Sequence, residues 1–423
     1  MTQEIMIEGL SQRGEGLANG DVAVPGALPG ERVSALIDGQ RGRLVQILEV
    51  SPRRVPPICR YFGDCGGCAT QHFASGLYAD WKRGLLVAAL ARARVEAPVG
   101  KLIDAHGEGR RRATFHARSS SDGPHVAVGF MRARAHDIVE IEACPVLAPG
   151  MAGALAAARL VATNLRGIGK PLDINVTAML NGLDIDVRGC GALDFSARQK
   201  LIAAAGQLDL ARLSNHGEIL IERRTPEVMM GLARVCPPPG GFLQATIAGE
   251  RILADLATAG VEGARRIADL FSGAGAFALR LAADHDVHAV EIDRPALAAL
   301  RRATAEMPQL RPVTTEARDL FRRPLKSEEL KEFDAVLFDP PRAGALAQSK
   351  ELAASIVPTV IAVSCNATSF ARDVSVLAAG GYAIESVTPI DQFLFSPHVE
   401  IVAILRKPRA GKRARGASRR LLG

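Results

Sequence analysis

Three groups of residues in this chain have types and spacings that could do chemistry. The first is Cys59-Arg-Tyr-Phe-Gly-Asp-Cys65-Gly-Gly-Cys68, which holds three of the seven cysteines within ten residues. Thiolates are soft ligands, and Gly66-Gly67 lets the backbone bend tightly enough for neighbouring sulfurs to converge on one centre. In a cytosolic chain such clustering favours a metal or cluster over disulfides. A fourth ligand would come from Cys144, Cys190, Cys236 or Cys365. A proline directly after a terminal cluster cysteine leans towards Cys144 or Cys236. Zinc on four thiolates is the main rival. Gaps of five and then two residues fit neither zinc pairs nor a ferredoxin run well, so spacing leaves both open.

The second group is Ala268-Asp269-Leu270-Phe271-Ser272-Gly273-Ala274-Gly275-Ala276-Phe277, with Glu291 at the end of the following apolar run. Gly273 and Gly275 allow close backbone approach where a helix begins, and a carboxylate at Glu291 can accept two ribose hydroxyls. The third glycine of the dinucleotide fingerprint is absent, which favours an adenosyl group without phosphates. The third group is Asp339-Pro340-Pro341-Arg342, Cys365 and Glu400, each next to an apolar run. A cysteine at a strand end just before a helix is expected to have its pKa lowered and to suit a nucleophile. Glu400, beside such a cleft, could serve as a base or be an ordinary paired surface carboxylate.

The elements that must position these residues divide the chain. At 423 residues, roughly 100 to 200 per domain predicts two to four domains. Short β-rich runs at Glu4–Leu10, Asp21–Pro25, Arg32–Asp38 and Gly42–Val50 predict a small OB-like barrel over 1–55. The cysteine segment and an amphipathic helix over Leu77–Val95 occupy 56–105. Mixed strands and helices follow over 106–240, including Val126–Phe130, Ile174–Thr177 and Leu183–Val187. Pro237-Pro238-Pro239-Gly240-Gly241 marks entry into the last domain, 241–408. There the pattern becomes helix Gln244–Ala259, strand Arg266–Leu270, helix Ala276–Ala283, strand Val287–Glu291, helix Pro295–Ala305, and strands Ala335–Phe338, Thr359–Ser364 and Ile401–Leu405. This is an α/β pattern with a mainly parallel sheet, whose ligands should lie at the carboxyl ends of the strands.

A composition of 48% hydrophobic and 23% charged residues excludes wholesale disorder. The absence of an apolar run of 18 residues, and of a basic then apolar N-terminus, leads us to expect a cytoplasmic protein with no membrane association. The net charge of +7 is concentrated at the end: Arg406, Lys407, Arg409, Lys412, Arg413, Arg415, Arg419 and Arg420 have no acid among them. The rest of the chain is therefore close to neutral. A basic tail over 409–423 could neutralise phosphates without sequence preference, or merely keep the chain soluble. Arg110, Arg111, Arg112, Arg132 and Arg134 could face RNA or solvent.

Taken together, these residues resemble the S-adenosylmethionine-dependent RNA uracil-C5 methyltransferase family, and within it the iron–sulfur branch that modifies 23S ribosomal RNA. The resemblance rests on Leu28-Pro29-Gly30-Glu31 in a TRAM-like barrel, Cys59/Cys65/Cys68 with Gln71-His72, Gly129-Phe130 through Cys144-Pro145, and Phe242-Leu243-Gln244. It continues through Asp269-Leu270-Phe271, Asp339-Pro340-Pro341-Arg342-Ala343-Gly344, Ser364-Cys365-Asn366 and His398-Val399-Glu400. Residues 146–235 are least covered, and Thr246, Ala276 and Ala367 depart from the family pattern.

The resemblance implies a class I Rossmann-like methyltransferase domain, a central α+β RNA-binding domain that supplies Cys144, and a [4Fe–4S] cluster on Cys59, Cys65, Cys68 and Cys144. It implies S-adenosylmethionine contacts from Gln244, Phe271, Gly273, Gly275, Glu291 and Asp339, with Asp319 as a further adenine-side contact. Cys365 would be the nucleophile and Glu400 the base, acting on a loop or single-stranded RNA, in a monomer. Four rivals remain. The transfer-RNA branch is disfavoured by the cysteine cluster and the barrel. An amino-group methyltransferase would carry an aromatic where Arg342 stands, and a radical enzyme would need a C-x3-C-x2-C spacing. A non-catalytic iron–sulfur RNA-binding protein would have no use for Cys365 and Glu400.

Overall fold

A computed structural model describes residues 2–19, 21–119, 123, 125–208 and 210–407. Most of the basic run lies outside the described residues. Arg406 and Lys407 do not: the Arg406 guanidinium pairs with Glu385, and Lys407 Nζ donates to the Ala353 and Ser355 carbonyls at 2.9 and 2.8 Å. These two cations fasten a strand end rather than extend a free tail.

The N-terminal strands form a six-stranded sheet in the order Thr2–Met6, Arg32–Asp38, Arg41–Glu49, Val22–Val24, Gly16–Ala18, Gly9–Leu10. Its two outer strands are consecutive in the chain, so the sheet must curl upon itself, as a barrel-like unit does. Ile5, Ile7, Val24, Val33 and Ala35 fill the interior. Glu31 of the Leu28-Pro29-Gly30-Glu31 motif is buried there, accepting from Leu28 N at 2.8 Å and pairing with Arg54 at 2.6 Å.

Helix Ser75–Arg92 then leads to a seven-stranded, largely antiparallel sheet in the order Ile138–Glu140, Val126–Met131, Arg112–Ser119, Leu172–Met179, Gly182–Arg188, Arg212–Asn215, Glu218–Glu222. Helices Ala154–Asn164 and Phe195–Gln207 contribute Ala157, Ala158, Val161 and Leu201 to the core of that sheet. The hairpin Val228–Met230/Ala233–Val235 precedes the proline run, yet its apolar side chains join the core of the last sheet.

That last sheet carries the chemistry. Its strands are β1 (Arg266–Leu270), β2 (Asp286–Glu291), β3 (Val313–Ala317), β4 (Ala335–Phe338), β5 (Thr359–Ser364), β6 (Ala383–Asp391) and β7 (Glu400–Arg406). They lie in the order β3-β2-β1-β4-β5-β7-β6, with Ile103–Asp104 added at the edge. The first five are parallel; β7 runs antiparallel to β5 and β6. Helices α1 (Ile247–Gly260), α2 (Ala278–Leu281), α3 (Arg294–Ala305), α4 (Leu346–Ala354) and α5 (Ala367–Ala379) complete the α/β unit. Two buried clusters, on opposite faces, hold it: Leu253, Phe277, Leu297 and Leu300 with Ile267 and Leu337 on one, Phe370, Val374 and Leu377 with Phe338 and Val360 on the other. Leu86 and Leu90 of helix Ser75–Arg92 join the second cluster. No helix among the described residues is long and apolar enough to cross a membrane.

Candidate active site

The carboxyl ends of β1, β2, β4 and β5 form one edge, because parallel strands all deliver their ends to the same side. Phe271 follows β1 with φ of +62°, unusual for a residue with a side chain, and its ring meets Phe321 at 5.5 Å. Gly273 and Gly275 have φ of +54° and +101°; a Cβ on Gly275 would lie 2.5 Å from Leu300 Cδ1. Glycine is what lets the loop close onto α3 there. Glu291, at the end of β2, accepts from Gly273 N at 3.0 Å and from Ile292 N and Asp293 N at 2.7 and 2.9 Å. The carboxylate is thus oriented by the glycine loop itself. Asp319 caps its own turn, accepting from Phe321 N at 3.0 Å.

Beneath this loop lies Asp269, fully buried, with no hydrogen-bond partner for either carboxylate oxygen; the Ser272 hydroxyl is also buried and unpartnered. Burial pushes Asp269 well above the usual carboxylate range, with Asp339 and Glu291 adding to it and the nearby Ala278 amide opposing. Such orphaned acceptors beside an open glycine loop fit a bound polar group such as the ammonium of an amino acid. They are the structure's own argument that S-adenosylmethionine fits here.

Asp339 directly follows β4 and is pushed by burial to about 7, eased by the Gln244 amide, whose Nε2 donates to Oδ2 at 3.3 Å. Gln244 belongs to the segment entering α1, where Thr246 caps the helix by accepting from Gly249 N at 2.8 Å. Cys365 follows β5, and Asn366 caps α5 by accepting from Thr368 N and Ser369 N. Ser364 pairs with Ile401, so Cys365 and Glu400 flank each other at the next step of the β5/β7 register. Burial pushes Glu400 up to about 8, with the charge of Asp339 adding, and the Gln392 amide and Arg342 opposing.

One expectation is corrected. The helix start does not depress Cys365: burial pushes the thiol up to about 11, and the facing Glu400 and Asp339 carboxylates outweigh Arg342. Four of the five arginines that could face RNA or solvent are instead engaged within the chain. Arg111 is buried against Glu250 and the Gln244 carbonyl, Arg112 donates to the Leu243 carbonyl, and Arg132 and Arg134 pair with Asp64 and Glu15. Cys365 instead lines a cavity of about 290 Å³ together with Arg13, Arg92, Arg342 and His398.

Cys59, Cys65, Cys68 and Cys144 line a second cavity, of about 260 Å³. The 59–68 loop is tied to the central sheet by Gly66 N donating to Met131 O and Ala133 N to Asp64 O, at 2.9 and 2.8 Å. An Arg60–Glu142 ion pair draws in the loop of Cys144. Burial pushes Cys68 up to about 11, with Gln71 opposing and the charges of Cys144, Cys65 and Cys59 adding. No group of three or more His, Cys, Asp or Glu side chains among the described residues is set to hold a single metal ion. Cys190 donates to Asn215 Oδ1 at 2.8 Å, and neither it nor Cys236 lines the cavity.

The sequence reading missed Gln392 altogether. It lies fully buried between Gln244 and Glu400. Its only local signal is its place eight residues before Glu400. Asp269 is part of the Asp269-Leu270-Phe271 motif, and its signal is a carboxylate among the buried apolar residues of β1.

Comparisons with known proteins agree with this geometry. The family model described as tRNA (Uracil-5-)-methyltransferase matches residues 250–408. A Brucella suis protein named only as an uncharacterized RNA methyltransferase is 46% identical over 411 residues, covering 96% of this chain and 99% of its own. The 23S rRNA (uracil(1939)-C(5))-methyltransferase RlmD of Halomonas elongata is 31% identical over 459 residues, covering 98% of this chain and 92% of its own. The crystal structure of Pyrococcus abyssi tRNA (uracil-54, C5)-methyltransferase in complex with S-adenosyl-L-homocysteine superposes with a TM-score of 0.73 at 23% identity, over 95% of this chain and 99% of that one. A glycine loop holding an oriented carboxylate, a cysteine and a glutamate near each other at the strand ends, and full-length relatives of this kind lead to one conclusion: this chain belongs to the S-adenosylmethionine-dependent RNA uracil-C5 methyltransferase family.

Proposed function

We propose that this enzyme methylates C5 of a uridine in 23S ribosomal RNA through a covalent adduct with Cys365 that Glu400 resolves. The single observation that carries the reading is that Cys365 and Glu400 stand one step beyond the Ser364/Ile401 pair joining β5 to β7, with Cys365 in the wall of an arginine-bordered cavity. The ribosomal substrate is supported by the relative acting on 23S rRNA, which matches nearly the whole chain.

The chemistry follows from what uracil lacks. Its C5 is too weak a nucleophile to take a methyl group unaided, and S-adenosylmethionine supplies an electrophilic methyl on a sulfonium. Cys365, as its thiolate, adds through Sγ to C6, and the electrons of the C5–C6 double bond pass towards C5, which would then accept the methyl while the electrons of the broken C–S bond stay on the donor sulfur as a neutral thioether. Glu400 removes the C5 proton; those electrons restore the double bond and expel Sγ. Gln244, Phe271, Gly273, Gly275, Glu291 and Asp339, with Asp319 beside the adenine, would hold the methyl donor. The target base has to leave its stack to reach Cys365, which suits a loop or single strand. Residues 241–408 form the methyl-transfer unit in this reading, with 1–55 and 106–240 guiding RNA.

Cys59, Cys65, Cys68 and Cys144 would hold a [4Fe–4S] cluster. The fit is supported by the four thiols around one cavity, since a [4Fe–4S] cluster takes one thiolate at each of its irons. There it would bind the 59–68 loop to the 144 loop, a structural role.

The test is intact-mass analysis of wild type, Glu400→Gln and Cys365→Ala after incubation with S-adenosylmethionine and 23S rRNA fragments or transfer RNA. An adduct that accumulates in Glu400→Gln, on 23S rRNA and not in Cys365→Ala, supports the reading. Adducts on transfer RNA alone would move the substrate to that branch, and no adduct on either RNA would overturn the covalent route.

A further inference from the structure

Glu400 does not meet the cleft alone. Gln392, fully buried just beyond β6, spends both of its amide hydrogens: Nε2 donates to Glu400 Oε1 at 3.1 Å and to Gln244 Oε1 at 2.6 Å. Its own Oε1 accepts from Thr246 N at 3.3 Å. The orientation of the amide is therefore determined, because turning it over would set its oxygen against a carboxylate and a second carbonyl oxygen. Gln244 passes the line on, Nε2 donating to Asp339 Oδ2 at 3.3 Å. Two amides thus join the two carboxylates of the cleft. The surroundings are shaped around this side chain: a Cβ on Gly249 would lie 2.7 Å from Gln392 Oε1 and 2.9 Å from its Cβ.

We propose that Gln392 is the positioning residue for base-catalysed release: it ties down Glu400 Oε1, leaving Oε2 to take the C5 proton, and couples that carboxylate to the Gln244–Asp339 pair. The inference rests on Glu400 being the base. In the release step the C5–H electrons form the C5–C6 double bond, the C6–Sγ bond breaks with its electrons going to Cys365, and the proton ends on Glu400 Oε2. An amide hydrogen on Oε1 stabilises the charged carboxylate before the step and fixes which oxygen faces the substrate. The other charged or titratable groups around Glu400 are Asp339, which raises it, Arg342, which lowers it, and Cys365 at the neighbouring register step. With Gln392 removed, only Arg342 would oppose burial and Asp339.

The experiment compares full-length wild type, Gln392→Met, Gln392→Glu and Glu400→Gln. Single-turnover methylation of a 23S rRNA fragment is followed by adduct mass and by product release from pH 6 to 9, with thermal melting to verify folding. Gln392→Met, similar in length but without donors, should hold adduct and slow release about 10- to 100-fold. The pH midpoint of its release should move upward. Gln392→Glu should recover release at the acid end, where its neutral carboxyl can donate, and lose it as the pH rises. Unchanged release and an unchanged midpoint in a folded Gln392→Met overturn the proposal. So does equal slowing at every pH in both Gln392 variants, which marks a merely structural role. If Glu400→Gln itself traps no adduct, the assignment of the base fails instead. Should Gln392→Met not fold, the pH profile of Gln392→Glu decides alone.

Discussion

Glu400 flanks Cys365 across the β5/β7 pair, and after burial its carboxylate is the strongest influence holding the thiol near 11. In the proposed mechanism the base of the second half-reaction therefore opposes ionisation of the nucleophile of the first. Glu400→Gln should lower the Cys365 pKa and speed alkylation of that thiol by iodoacetamide at pH 8. The gain follows the thiolate fraction, about tenfold if the thiol pKa drops by about one. The rate is read by peptide mass at Cys365. An unchanged or slower rate would mean that burial alone sets the thiol.

The same carboxylate has a cost for the fold. Unfolded, Glu400 titrates near about 4.3; folded, burial and the Asp339 charge raise it to about 8. Between these values the folded chain binds more proton than the unfolded one, so this group's contribution falls as the pH rises from about 4 to about 8. Glu400→Gln should therefore melt at least about 2 °C above wild type at pH 8, with the difference shrinking towards pH 5. Scanning fluorimetry across that range checks it. A variant that melts lower at pH 8 contradicts a buried, destabilising carboxylate.

Part of this site was legible in the sequence. Strands β1, β4 and β5 have the bounds that the sequence predicts: β4 and β5 are nearly continuous apolar runs with turn residues at their ends, the signature of a strand buried on both faces, and β1 runs directly into its glycine loop. The half-exposed edge strand β3, with Thr314, Thr315 and Glu316, has no such run and was missed. The helix expected over Ala276–Ala283 shrinks to Ala278–Leu281, because the glycine loop needs the first residues. The helix-start argument for a low Cys365 pKa failed because a short-range dipole is a smaller influence than burial beside two carboxylates. Gln392 could not be found at all: its meaning lies in a contact with Gln244, 148 residues away.

The cysteine set can be separated by substitution. Cys59→Ala, Cys65→Ala, Cys68→Ala and Cys144→Ala should each lose iron and acid-labile sulfide after anaerobic reconstitution. Cys190→Ala and Cys236→Ala should keep both, since neither lines the cavity. Iron and sulfide assays with visible absorption decide it, and zinc in place of iron would restore the rival with four thiolates.

The cofactor edge makes a similar demand on Glu291. Its carboxylate is held by three backbone amides from the glycine loop and the start of the α3 segment. Glu291→Ala removes the partner of Gly273 N and, in the proposed reading, the acceptor for the ribose hydroxyls. Calorimetric affinity for S-adenosylhomocysteine should fall by at least about tenfold, while Cys365 remains open to alkylation. Loss of both together would point to collapse of the fold rather than of the cofactor site.

The loop that bears Gln392 and leads to Glu400 is anchored from a distance. Lys82, on helix Ser75–Arg92, is fully buried and ion-pairs with Asp391, the residue directly before Gln392; its Nζ also donates to the Phe393 carbonyl at 3.0 Å. Tyr78 OH donates to Asp391 Oδ2 at 2.6 Å and accepts from Phe395 N at 3.0 Å, so one helix holds both ends of the 391–395 turn. Lys82→Met leaves the Asp391 carboxylate without its ammonium partner and should cost about 3–5 kcal/mol in urea unfolding. Adding Asp391→Asn should return part of that loss, because the uncompensated charge is then gone. Methyl transfer should stay impaired in the double variant, since the turn that sets Gln392 and Glu400 has still lost its clamp. Full activity with restored stability would show that the pair serves the fold alone.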